Sequence, residues 1–200
     1  MLEVRSLSCR RGARLVFRDA GFQLNSGSLL HVSGANGSGK SSLLRVLAGL
    51  LPNAGGAIHW NGQEITKAPA EHRERLHYVG HLDAVKPEFT GDEMLAYWRA
   101  LRPSKTPSFP DPFGLGAILS KPVRTLSAGQ KRRLSLSKLM LAEAPLWLLD
   151  EPTTALDQAG QNMLWKAVAK HRSVGGMAII AAHHELGAPN VQTYAMPDVK

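Results

Sequence analysis

Cysteine is nearly missing from this sequence: Cys9 stands alone among 200 residues, so no disulfide can form within the chain and no Cys-x-x-Cys metal or redox motif exists. Long apolar runs are missing too. The richest stretches, 146–149 and 177–182, fall far short of the ~18 residues that suggest a membrane span. Any membrane connection is therefore expected to come through a partner. The opening Met1-Leu2-Glu3 is not a basic segment followed by an apolar run, which with the lone cysteine sets the expectation of a reducing, cytosolic setting. No fixed-period repeat or low-complexity segment stands out. The eight histidines lack the i, i+4 zinc-helix spacing around a glutamate, so His183-His184 is not by itself a metal site.

A content of 44% hydrophobic and 20% charged residues suits one compact domain over 1–200 with a substantial core. The formal charge of +8 would suit nucleic acid or an anionic membrane, but the basic residues are dispersed, with only short clusters at Arg10-Arg11 and Lys131-Arg132-Arg133. No nucleic-acid partner is expected.

Residues 2–7 and 15–24 read as strands, and Asn25-Ser26-Gly27 as a turn before a short buried strand over 29–32. A helix over 40–51 follows, with Leu43, Leu44, Leu47 and Leu50 on one face. Further strands are read at 57–60, 76–79, 146–149 and 177–182, and helices at 91–101, 126–143 and 158–171. The segment 102–116, with four prolines and two glycines, reads as an irregular connection. Alternating strands and helices predict an α/β fold.

Gly34-Ala35-Asn36-Gly37-Ser38-Gly39-Lys40-Ser41 matches the phosphate-loop pattern G-x-x-x-x-G-K-[ST] between a predicted strand and a predicted helix. Glycines there let successive N–H groups turn inward toward phosphate oxygens, and the helix adds its positive end. Lys40 would reach the β- and γ-phosphates of ATP, Ser41 would hold Mg²⁺, and Ser42 would continue the cradle. The bland alternative is a glycine-rich turn before a helix. The apolar strand at 146–149 ends in Asp150-Glu151, which alone could merely lead into a helix. Beside a phosphate loop, Asp150 reads as a Mg²⁺ partner and Glu151 as the base or the group that orients the attacking water.

Leu126-Ser127-Ala128-Gly129-Gln130 resembles the L-S-G-G-Q signature of the ABC (ATP-binding cassette) ATPases. Without that resemblance it would read as an ordinary N-capped helix start. The resemblance implies an ABC-type P-loop NTPase: a mostly parallel sheet, a small N-terminal antiparallel sheet and a helical insert near 87–142. It also implies an ATP-dependent head-to-tail homodimer, in which Ser127, Ala128, Gly129 and Gln130 close over the partner's ATP. Thr154-Ala155-Leu156-Asp157 resembles the loop that communicates across that dimer, so Asp157 joins the nucleotide set. Ala181-Ala182-His183 resembles the switch whose histidine contacts the γ-phosphate, and His184 receives no role. Integral membrane permease subunits are the implied partners, reached from the cytoplasmic face of the bacterial inner membrane.

Two positions depart from the family pattern. Gly80-His81 stands where a glutamine usually touches Mg²⁺ and the membrane partner, which makes His81 either its replacement or a surface histidine. Arg11 stands where an aromatic usually stacks on adenine, and is either a guanidinium cover for the ring or a solvated charge. Together with the short chain, its end soon after His183, and Ala128 in the signature, Gly80-His81 makes the sequence similar to the ATP-binding subunits of haem exporters that serve cytochrome c maturation. The ATPase of another small exporter, or a soluble ABC ATPase acting on nucleic acid or the ribosome, is the alternative.

Overall fold

The structure, a computed structural model, describes residues 1–102 and 111–197. Much of the irregular connection expected over 102–116 lies outside the described residues. The centre is a parallel sheet in the order β6 (Leu76–Val79), β7 (Leu146–Asp150), β8 (Met177–Ala181), β3 (Leu29–Ser33) and β9 (Val191–Ala195). All five residues of β7 and of β8 are buried, because a parallel sheet is covered on both faces. Strand alternation divides them between two cores. Leu146, Leu148, Ile179 and Ala181 face α1 (Lys40–Leu47) and the N-terminal strands. Trp147, Leu149, Ala178 and Ile180 face α3 (Gly91–Leu101), α4 (Ala128–Ser137) and α5 (Gln158–Ser173). Fully burying one such leucine contributes about 1.5–3 kcal/mol, so the central strands anchor everything attached to their ends.

A second, antiparallel sheet runs β2 (Arg14–Leu24), β1 (Leu2–Arg11), β4 (Gly55–Trp60) and β5 (Gln63–Glu64). Leu2, Val4, Leu7 and Cys9 of β1 point into the first core, and the solvent side carries Arg5 and Arg10. The expected division into one parallel and one small antiparallel sheet matches the structure.

Several boundaries differ from expectation for local reasons. Helix α1 stops at Leu47 rather than at residue 51. Gly49 takes a left-handed φ of +68°, and Leu50 N–H and Gly49 N–H return to the carbonyls of Arg45 and Val46 (2.8 and 3.0 Å), which closes a Schellman turn. Helix α4 starts at Ala128 because Ser127 is its extended N-cap, and it tightens into a 3₁₀ turn at Lys138–Met140 well before residue 143. The short α2 (Pro69–Glu74) and the edge strand β9 were not expected. Six residues are too few to display a helical period. Strand β9, Val-Gln-Thr-Tyr-Ala, shows no apolar run because its outward residues meet solvent.

Candidate active site

The carboxyl ends of β3, β7 and β8 converge, and each ends in a segment singled out by sequence. From β3 the chain enters the loop 34–39, in which Gly34, Gly37 and Gly39 adopt φ of +142°, +80° and +102°. A side chain at Gly39 would press on Val16 Cγ1 at 3.0 Å and Met196 Cε at 3.3 Å, so the loop can lie this close to β2 and the end of β9 only with glycine there. Helix α1 begins at once with Lys40. Its N-cap, Gly39, supplies no side-chain acceptor, and no acidic residue occupies the first turn. The first N–H groups of α1 therefore lack a side-chain cap, in a region that favours negative charge. Ser38 Oγ is buried without a partner.

Lys40 is only 6% exposed, and its ammonium folds back to donate to Gly34 O (2.7 Å) and Ala35 O (3.0 Å). Ser41 Oγ donates to Asp150 Oδ1 at 3.0 Å, while Asp150 Oδ2 is buried and unpartnered. Those two oxygens, with room left on the carboxylate, fit a Mg²⁺ ion that takes most of its ligands from phosphate and water. Consistent with that sparse protein contribution, no cluster of three or more His, Cys, Asp or Glu side chains able to hold a metal occurs among the described residues.

Glu151 follows β7 with φ +48°, an uncommon conformation for a non-glycine residue, held by Glu151 N–H donating to Ala181 O at 2.9 Å. Its Oε1 lies 3.0 Å from His183 Nε2, an ion-pair distance at an angle outside hydrogen-bond geometry. His183 Nδ1 lies 3.5 Å from Lys40 Nζ. An ammonium cannot accept a hydrogen bond, so Nδ1 is the acceptor there and the ring proton sits on Nε2, facing the carboxylate. Lys40, Glu151 and His183, spread over 143 positions of sequence, thus form one contact chain across three strand ends.

Other expected members stand apart. Ser127 caps α4 in a reciprocal box, its Oγ accepting from Gln130 N–H (3.2 Å) and Gln130 Oε1 accepting from Ser127 N–H (2.9 Å). Both Ser127 and Ala128 are exposed, and a Cβ on Gly129 would meet Ala155 O at 2.9 Å, so this helix start abuts the 154–157 loop. Asp157 caps α5, its Oδ1 accepting from Gly160 N–H at 2.7 Å. His81 is exposed just past β6, and no contact among the described residues joins it to Ser41 or Asp150. Arg11 and His184 are exposed, Arg11 at the end of β1.

The sequence reading passed over Arg132. Its side chain is 2% exposed and hydrogen-bonds the backbone of Asp150, Glu151 and Pro152. The available signal was position: Arg132 shares a helical face with Leu136 and Leu139, where a cation has to be paired. Met196 beneath the phosphate loop was passed over as well.

An apolar-centred parallel sheet, a glycine loop feeding an uncapped helix, and an acid pair at the end of β7 define a P-loop nucleotide hydrolase. Residues 17–154 match the ABC transporter family. The chain belongs to that family and is an ATP-hydrolysing enzyme coupled to transport. Among its relatives, the cytochrome c biogenesis ATP-binding export protein CcmA of Paramagnetospirillum magneticum is 46% identical, over 94% of this chain and 90% of that one. Its namesake from Rhodospirillum rubrum is 45% identical over 95% and 83%, and that from Haemophilus influenzae 37% over 96% and 92%. A solved ATP-binding subunit of an ABC transporter superposes with TM-score 0.81 at 27% identity, covering 92% of this chain and 79% of that one. An ATP-binding ABC transporter protein of Pyrococcus furiosus, 24% identical, shares the fold with TM-score 0.82, covering 98% and 96%.

Proposed function

We propose that this chain is the ATPase subunit of a haem exporter required for cytochrome c biogenesis, working as an ATP-dependent head-to-tail dimer beneath integral membrane permease subunits. The likeness along nearly the whole chain to proteins named for that pathway supports the assignment of cargo. The contact chain Lys40–His183–Glu151 is the observation that carries the chemistry.

In this scheme the N–H groups of residues 34–42 and the Lys40 ammonium bind the β- and γ-phosphates. Lys40 exchanges its two loop carbonyls for phosphate oxygens when ATP arrives. Ser41 and Asp150 would hold Mg²⁺, which when bound neutralises charge on the phosphates. Glu151 accepts a hydrogen bond from the attacking water and takes its proton as the water oxygen bonds the γ-phosphorus and the bond from that phosphorus to the β–γ bridging oxygen breaks, releasing ADP. His183, its Nε2 3.0 Å from that carboxylate, lies beside the place of the γ-phosphate. Ser127, Ala128, Gly129, Gln130 and Asp157 act on the partner's nucleotide, and Arg11 covers the adenine.

No described helix is long and apolar enough to cross a membrane. Contact with the permease falls to His81 and its neighbour Leu82, which is 81% exposed. No nucleic acid takes part. Deleting the gene is expected to abolish covalent haem attachment to periplasmic c-type cytochromes while leaving haem synthesis intact. Normal haem staining of those cytochromes in the deletion strain would overturn the cargo assignment and leave the ATPase chemistry standing.

A further inference from the structure

Arg132 has no part in the scheme above, yet it is a fully buried cation whose bonds all reach the machinery. Its Nε donates to Pro152 O (3.2 Å). Its Nη2 donates to Asp150 O (3.0 Å) and Glu151 O (2.7 Å), and its Nη1 to Gly80 O (2.9 Å) and Asp83 Oδ1 (3.1 Å). A guanidinium carries five N–H donors in a rigid fork, and here five acceptors meet them. Burying such a charge costs several kcal/mol, and an apolar side chain of similar volume would fill the same space. Fixed geometry accounts for the cation where packing alone would not.

The geometry it fixes is that of Glu151. The left-handed φ of +48° turns the carbonyls of Asp150 and Glu151 to the same donor, Nη2. The Asp150–Glu151 peptide is also held from its opposite edge, Glu151 N–H donating to Ala181 O at 2.9 Å. With both flanking peptide planes held, the direction of the Glu151 side chain toward His183 is set by the backbone. The opposite arm of the fork grips Gly80 and Asp83, the two residues that flank His81-Leu82 in the loop after β6. Arg132 itself stands on the first turns of α4, so a single side chain joins the signature helix, the strand end bearing Glu151 and the His81 loop.

We propose that Arg132 is the positioning residue for the hydrolytic carboxylate, and that its grip on Gly80 and Asp83 makes the placement of Glu151 depend on the loop that carries His81. This rests on Glu151 acting as the base. The test compares R132M, R132K and D83A with E151Q, measuring steady-state hydrolysis, affinity for a fluorescent ATP analogue, and melting temperature on the purified full chain. R132M and R132K are expected to lower kcat about 10- to 100-fold while nucleotide affinity stays within about threefold, the signature of a displaced catalytic group. Lysine does not rescue, because one ammonium cannot meet five acceptors arranged around a plane. D83A, at a partly exposed loop position, is expected to lower kcat a few-fold and also to spare affinity. Wild-type kcat in R132K and D83A, with E151Q inactive, overturns the proposal and spares the base. Loss of nucleotide affinity in step with kcat overturns it in favour of a purely structural role, and an active E151Q removes both readings. Should R132M fail to fold, R132K and D83A decide.

Discussion

Two helix starts in this chain carry the family's two nucleotide motifs, and they are finished in opposite ways. Helix α1 opens without a side-chain cap, beside a buried unpartnered hydroxyl on Ser38, with Lys40, Ser41, Asp150, Glu151 and His183 gathered around it. Helix α4 opens with the N–H groups of Ser127 and Gln130 answered by its own capping box, and its exposed Ser127 has a hydroxyl proton left to donate outward. One end leaves its first N–H groups without a side-chain cap, where negative charge is favoured. The other is a helix terminus that carries its own side-chain cap and is exposed at Ser127 and Ala128. In the proposed head-to-tail dimer the two ends are complementary: the α4 start of one copy meets the nucleotide in the cradle of the other.

The largest expected effect breaks that contrast from both sides. Lys40→Ala removes the cradle's charge, and hydrolysis is expected to fall to background with loss of ATP binding. Ser127→Asp keeps a good N-cap, so α4 stays folded, but sets a negative charge against the partner's γ-phosphate; hydrolysis is expected to fall comparably while binding to the isolated chain is spared. Mixing the two inactive variants assembles dimers in which one site has an intact cradle and an intact signature. Recovery of up to about a quarter of wild-type turnover is expected if the two sites act independently. Mixed variants as inactive as either alone would mean that the α4 start acts within its own chain.

A somewhat smaller loss separates chemistry from closure on the cradle side. Glu151→Gln keeps shape and hydrogen bonding but cannot take the water's proton, so hydrolysis should drop about 10²–10⁴-fold with ATP still bound. Size-exclusion chromatography with ATP is expected to show a persistent dimer. A monomer that binds ATP would separate closure from the nucleotide and break the link between the two ends.

The two ends were also unequally legible in the sequence. The cradle is local: glycines that permit positive φ, a lysine and a serine at fixed spacing after an apolar run, all within eight residues whose geometry follows from their identity. The acid pair at the end of β7 could be read for the same reason. The placement of Glu151 could not, since Arg132 works through the carbonyls of Asp150, Glu151, Pro152 and Gly80, and a carbonyl oxygen is the same whatever residue carries it. The role of Asp157 looks different once its carboxylate is seen capping α5, a task any Asn or Ser could share. Strand β9 and Met196 were obscured because an edge strand with a wet face has no apolar run, even though it braces the loop that sequence made plainest.

The smallest predicted effect carries the comparison to the histidines, which divide as the helix starts do. His183 stands exposed among the site's charges, whereas His77 is buried in β6 with both ring nitrogens committed. Its Nε2 faces Ala142 O at 2.8 Å, and Nδ1 lies 3.2 Å from Arg102 Nη1, so the neutral ring donates from Nε2 and accepts at Nδ1. Burial, partly opposed by the bond to Ala142, holds the His77 pKa down at about 4, against 6.5 for an ordinary histidine. Between those values the unfolded chain binds a proton that the folded chain refuses, so stability is full above about pH 6.5 and falls as pH drops toward 4. By pH 5 the loss from this one group is on the order of 2 kcal/mol. His72 and His171, also depressed by burial, add losses of the same sign, so the wild type alone cannot assign the effect. His77→Gln, which keeps a donor for Ala142, is expected to be less stable than wild type at pH 7.5 and to close about 2 kcal/mol of that gap by pH 5 in urea unfolding. Parallel stability profiles for the two proteins would show that His77 is not the buried neutral ring described, and would leave the acid loss to His72 and His171.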